Sequence, residues 1–192
     1  MQAEPIGVTM TVINALEDLG VRYVVVGSLA SAVHGVVRAT IDADLVADLD
    51  LDDVEPLAKR LNAAFYADQK MMRDAVRCRA SFNLIHLETT FKVDVFVAKS
   101  RSFDQAQLTR RESHLLSDAL KARAYVATAE DIVLSKLEWY QMGGCVSDRQ
   151  WRDVLGVLKV QGDRLDLDYL RGMAVSLDVT GLLTQALAEA RE

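Results

Sequence analysis

The chain has 192 residues, 51% of them hydrophobic and 26% charged, with a formal net charge of -6. That length fits one domain, or one domain with a small appendage, and folding would hide roughly 70% of the unfolded chain's surface. The apolar content and the scarcity of proline exclude disordered, collagen-like and low-complexity classes, and the acidic balance argues against coating a nucleic-acid duplex as the whole function.

In chain order, Val8 to Leu19 carries apolar residues at helical spacing, and Gly20 is a stop signal. Tyr23-Val24-Val25-Val26 reads as a short buried strand, broken by Gly27-Ser28. Leu29 to His34 predicts a short helix ended by Gly35, and Ile41 to Ala47 a second strand. A helix is expected from about Asp52 to Ala64, and another over Asp68 to Arg77. Ser81 to Leu87 and Phe91 to Val97 read as two strands linked tightly at Glu88-Thr89-Thr90. The four strands imply a small mixed sheet. After Arg101 the pattern weakens until Ala124-Tyr125-Val126, one more short strand. Thr128 to Asp131 resembles a capping box with aspartate in the glutamate position, and opens a helix to about Met142. Ser147 and Gln150 form a second box, opening a helix to about Lys159; Asp166 to Leu177 and Thr180 to Ala190 predict two more.

The sharpest chemical feature is Asp42-Ala43-Asp44. Side chains alternate along a strand, so the two carboxylates share one face while Ile41, Ala43 and Leu45 point the other way. Like charges on one half-buried face repel, and a hard divalent cation such as magnesium removes that cost. On the later strand, Phe91, Val93, Val95 and Val97 share a face and Asp94 lies on the opposite one. If the two strands are neighbours, three carboxylates converge. That number suits two cations, which in phosphoryl chemistry lie about 3.5–4 Å apart. Gly27-Ser28, between strand and helix, offers close backbone approach and free N–H groups to an anion. Each feature alone also has an ordinary reading: a solvated turn for Asp-x-Asp, a turn for Gly-Ser, an edge-strand charge for Asp94.

That order resembles the nucleotidyltransferase superfamily, the fold of DNA polymerase beta. The block VVVGSLASAVHGVVRATIDADLVADL, residues 24 to 49, looks most like the AbiEii-type branch, whose members are toxins of type IV toxin–antitoxin systems. The likeness extends over AEDIVLSKLEWY and SDRQWRDVLGVL, residues 129 to 140 and 147 to 158. The resemblance implies an α+β fold: a mixed sheet with flanking helices over residues 1–126, then a C-terminal helical bundle over 127–192. It implies that Gly27 and Ser28 contact nucleotide phosphates, that Asp42, Asp44 and Asp94 bind metal and catalyse, and that Asp94 serves as a base. Lys136 would face the triphosphate. Asp153 matches a downstream family aspartate. No arginine follows Ser28 closely; Arg38 is the nearest, and would contact triphosphate or pair with Asp42.

Lys136 stands out on periodicity as well. Asp131, Ser135 and Glu138 define a polar helix face, and Lys136 falls about 140° from Asp131, on the apolar side. A lysine there snorkels or meets an anion. Asp153 has Arg149 as a local partner at i, i+4. Trp139, Tyr140 and Trp151 are expected in the core between the C-terminal helices. His34 would cap or pack, and His34, His86 and His114 lack metal spacing. Arg73, Arg77 and Arg79 form one basic cluster and Arg110 with Arg111 another, each a solvated surface or an RNA-contacting rim. Cys78 and Cys145 are too few for a disulfide framework or a four-thiolate zinc site. The absence of an 18-residue uncharged apolar stretch and of a signal-like start predicts a cytoplasmic protein with no membrane partner.

The implied activity is magnesium- or manganese-dependent transfer of a nucleotidyl group from a nucleoside triphosphate to an acceptor hydroxyl on RNA (tRNA included), protein or a small molecule. A cognate antitoxin would be a partner. The alternative is a non-catalytic nucleotide- or partner-binding regulatory module on the same fold.

Overall fold

The computed structural model describes residues 3–36 and 41–191. In chain order its elements are α1 (Ala3–Asp18), β1 (Tyr23–Val26), α2 (Gly27–Val33), β2 (Asp42–Ala47), α3 (Val54–Leu61), β3 (Phe65–Tyr66), α4 (Gln69–Cys78), β4 (Ser81–His86) and β5 (Lys92–Val97). There follow α5 (Ser102–Arg110), β6 (Glu112–Ser117), β7 (Ala122–Val126), α6 (Ala129–Met142), α7 (Asp148–Gln161), α8 (Leu167–Ser176) and α9 (Thr180–Glu189).

The strands form one mixed sheet in the order β3-β4-β5-β2-β1-β7-β6. β1 lies inside it, antiparallel to β2 and parallel to β7. All four of its residues are buried, which is why its sequence is an unbroken apolar run rather than an alternation. β2 and β5 are parallel neighbours, and both alternate. Ala43, Leu45, Val93 and Val95 are fully buried beneath the layer made by α1, α3 and α4. The leucine and each valine contribute about 1.5–3 kcal/mol on burial, which pins the strand register and so the face on which the acids emerge. On that opposite face, α2 lies over β2 and against α6. Phe96 of β5 meets Trp139 of α6 with ring centroids 5.8 Å apart. The last four helices pack together, α6 on α7 and α8, and α9 on α7 and α8. Among the described residues, no helix is long and apolar enough to cross a membrane.

The expected caps form. Thr128 Oγ1 accepts from the Asp131 amide at 3.3 Å, and Ser147 Oγ accepts from the Gln150 amide at 3.4 Å. His34 ends α2 and packs: its Nε2 donates to the Ala127 carbonyl at 2.8 Å.

Several expectations need correction. The stretch after Arg101, where the sequence pattern weakens, holds α5 and the edge strand β6. β3, only two residues long, was not expected. The polar face of α6 is covered at Asp131, which is fully buried: Tyr169 of α8 donates to its Oδ1 at 2.6 Å. Trp139 is 48% exposed rather than core, whereas Tyr140 and Trp151 do pack, with ring centroids 5.3 Å apart. Arg110 and Arg111 are not a solvated pair. Arg110 stacks over Tyr169 at 3.8 Å and meets Glu130, and Arg111 donates to the Tyr23 carbonyl at 2.5 Å. Arg79 donates to the Ala98 carbonyl at 3.0 Å.

Candidate active site

β1 ends where the chain must turn sharply into α2. Gly27 makes that turn with φ of +63°, a left-handed backbone that L side chains rarely adopt. A second constraint acts on the same position. A Cβ at residue 27 would fall 2.0 Å from Asp44 Oδ2 and 2.8 Å from its Cγ. The backbone of the corner therefore lies directly against the Asp44 carboxylate, and Ser28 follows, half-buried, as the next residue of α2. Ser31 Oγ donates to the Gly27 carbonyl at 2.9 Å and holds the corner from within the helix.

The antiparallel register sets Val26 opposite Asp44. The parallel register sets Asp44 opposite Asp94 and Asp42 opposite Lys92. Residues opposed in this way project to the same face, so the topology brings Asp42, Asp44 and Asp94 to one patch beside the Gly27 corner. Asp94 Oδ2 meets the Lys92 ammonium at 2.7 Å, while its Oδ1 is buried with no hydrogen-bond partner. Burial, then repulsion from Asp42 and Asp94, pushes the Asp44 carboxyl up to about 6; the Lys136 and Lys92 charges pull it partly back.

Lys136 of α6 donates to Asp153 Oδ2 of α7 at 2.9 Å. The two side chains are 12% and 10% exposed, so this is a nearly buried pair rather than a snorkelling lysine. Asp153 thus meets a lysine of the neighbouring helix, seventeen residues away in the chain. Gln107 of α5 donates to Ser135 of α6 at 3.2 Å, and Arg101, which caps α5, binds Glu138; both tie the lysine's helix to α5. Arg38 lies outside the described residues.

Lys92 was missed. The signal was present: it stands two residues before Asp94 in the same alternation, hence on the same face.

The donor set suits a hard divalent cation. It consists of carboxylate oxygens, one of them an orphaned buried acceptor, crowded enough to raise a neighbour's proton affinity. Among the described residues, no three acidic, histidine or cysteine side chains yet close around a single point. Asp44 and Asp94, direct neighbours across the strands, are the residues that would hold the ion first, with Asp42 two positions away on the same strand.

Comparison with known proteins bears on the fold and the family. No curated protein matches the chain. Among solved structures, an antigenic nucleotidyltransferase-like protein from Paracoccidioides brasiliensis superposes with a TM-score of 0.52 at 16% identity, over 98% of this chain and 94% of that one. The solution structure of the antibiotic-resistance factor ANT(2'')-Ia superposes with a TM-score of 0.59 at 10% identity, over 92% of this chain and 94% of that one. At such identities the likeness is one of fold, a mixed sheet with flanking helices. A family model described as nucleotidyltransferase of unknown function (DUF6036) matches residues 9–180, and the chain belongs to that family.

Proposed function

We propose that the protein transfers a nucleotidyl group from a nucleoside triphosphate to an acceptor hydroxyl, releasing pyrophosphate, with Asp42, Asp44 and Asp94 as its acidic centre. The observation that carries this reading is the strand register that sets Asp44 beside Asp94 with the Gly27 backbone against the Asp44 carboxylate. A bound magnesium, or manganese in its place, would neutralise phosphate charge and polarise the α-phosphate.

The chain's own groups then have separate tasks. The Gly27-Ser28 corner seats the triphosphate beside the carboxylates. Lys136, steered by Asp153, supplies positive charge toward the phosphates. Asp94 accepts the proton of the attacking hydroxyl as the new oxygen–phosphorus bond forms and the bond to pyrophosphate breaks. Catalysis on such a site is positioning plus charge neutralisation. In this reading residues 1–126 carry the acids and the corner, and residues 127–192 bring Lys136 and Asp153 to them.

The finer proposal is an RNA acceptor, tRNA among the candidates, and a toxin role beside an antitoxin in the cytoplasm; its support is the AbiEii-like block at residues 24 to 49. A protein hydroxyl or a small molecule is the competing acceptor class. Incubating the protein with magnesium, each labelled triphosphate and a total RNA and protein extract reports activity and acceptor class together. Label transfer that disappears on chelation and in Asp44→Asn supports the reading. Magnesium-dependent nucleotide binding without pyrophosphate release would instead favour a regulatory module, and transfer retained by Asp44→Asn would overturn the site.

A further inference from the structure

The carboxylate patch already contains a cation of its own. Lys92 Nζ lies 2.7 Å from Asp94 Oδ2. The parallel register places Lys92 opposite Asp42, so its side chain leaves the sheet on the same face as all three acids. The lysine reaches in from the rim: its side chain is 38% exposed, against 16% for Asp94. An ammonium is a compact point charge on a flexible stem, and here it satisfies one oxygen of one carboxylate. The other oxygen, Asp94 Oδ1, stays buried without a partner. The ammonium thus occupies one of the two oxygens through which Asp94 could bind a divalent ion, and its charge lies beside any ion seated on the other.

We propose that Lys92 is the resident counter-ion of the acidic centre: it holds Asp94 in the metal-free protein and yields that oxygen when a divalent cation enters. The proposal rests on the reading of these acids as cation ligands. Its consequence is a thermodynamic coupling between two cations competing for one carboxylate, which lowers metal affinity while keeping the empty site from flying apart. Lysine suits the task where arginine would not. Its stem swings to solvent without breaking a bidentate grip, and the released ammonium remains within reach of the phosphates that arrive with the metal.

The test is direct titration with Mn2+, read as free Mn2+ by electron paramagnetic resonance, on the wild type, Lys92→Met, Lys92→Arg and Asp44→Asn, with no nucleotide present. Lys92→Met should bind Mn2+ at least about fivefold more tightly than the wild type, the lower end of ordinary site–site coupling. Lys92→Arg, which keeps a cation on Asp94, should show no such gain, and Asp44→Asn should lose the site. Should Lys92→Met fold poorly, Lys92→Gln keeps a polar chain of similar reach and should show the same tightening. Equal Mn2+ affinity in wild type, Lys92→Met and Lys92→Gln overturns the counter-ion role and leaves the acidic centre standing. Failure of wild type and both neutral variants to bind Mn2+ overturns the acidic centre itself, and this proposal with it.

Discussion

Replacing Gly27 with alanine tests the corner on which the site depends. Two effects add. The left-handed backbone, φ of +63°, costs an L residue roughly 1–2 kcal/mol. The new methyl would also fall 2.0 Å from Asp44 Oδ2, 2.8 Å from Cγ and 3.0 Å from Cβ. Turning the carboxylate relieves the first contact but not the last, because the Asp44 Cβ is fixed by a strand paired on both sides. Overpacking of this kind adds about 1–3 kcal/mol. At about 2–4 °C per kcal/mol for a chain of this size, the melting temperature should fall by roughly 4–20 °C. Gly20→Ala is the matched control: φ is +70° there too, yet nothing lies within 4 Å of the added methyl. It should lose only the backbone share, roughly 2–8 °C, and keep full transfer activity. Melting by circular dichroism and pyrophosphate release read the two effects separately. If Gly27→Ala melts with Gly20→Ala and still releases pyrophosphate, the close approach of corner and carboxylate is not what the site uses.

Asp44→Asn should abolish transfer yet stabilise the metal-free protein near pH 7.5. A carboxyl pushed from 3.8 to about 6 carries up to about 3 kcal/mol of unfavourable charge, and a urea titration showing a less stable variant would contradict this. Asp131 is raised to about 6 as well, chiefly by burial. For both groups the folded state holds its proton more tightly than the unfolded one, so their stabilising effect is complete below about pH 4 and is lost as pH rises through about 6. The urea midpoint should therefore be higher at pH 5 than at pH 7.5, and Asp131→Asn should flatten part of that slope; a midpoint climbing across the interval would refute the sign. Lys136→Met should raise the KM for triphosphate and destabilise by less than the about 3–5 kcal/mol of a fully broken buried pair, since Asp153 keeps a further interaction. In the double variant Lys136→Met with Asp153→Leu, stability should recover while KM does not, which separates the lysine's charge from its packing.

The sequence made one half of the site readable and hid the other. Alternation in Ile41–Ala47 and Phe91–Val97 assigns Asp42, Asp44 and Asp94 to polar faces, because a strand buried on one side must alternate. It says nothing of which strands are neighbours or in what register, and only the pairing of Asp44 with Asp94 turns three ordinary acids into one patch. The 102–117 stretch was silent for a related reason. In α5 only Phe103, Gln107 and Leu108 are buried, and in β6, an edge strand, only Leu116 is; no period can be read from so few points. Asp131 misled because helix angle predicts a face, not what covers it, and here α8 brings a tyrosine to the polar side.

Lys92 shows the same limit from the other direction. Its face was as legible as that of Asp94, but an isolated strand lysine is an ordinary solubilising charge. It acquires meaning only when the register sets it across from Asp42 and its ammonium reaches Asp94. Local pattern thus fixes what a residue can offer, and long-range pairing decides to whom. The chemistry here depends on the second: shifting β5 by one residue against β2 would leave every sequence motif intact, turn Asp94 into the apolar layer, and remove both the acidic centre and its counter-ion.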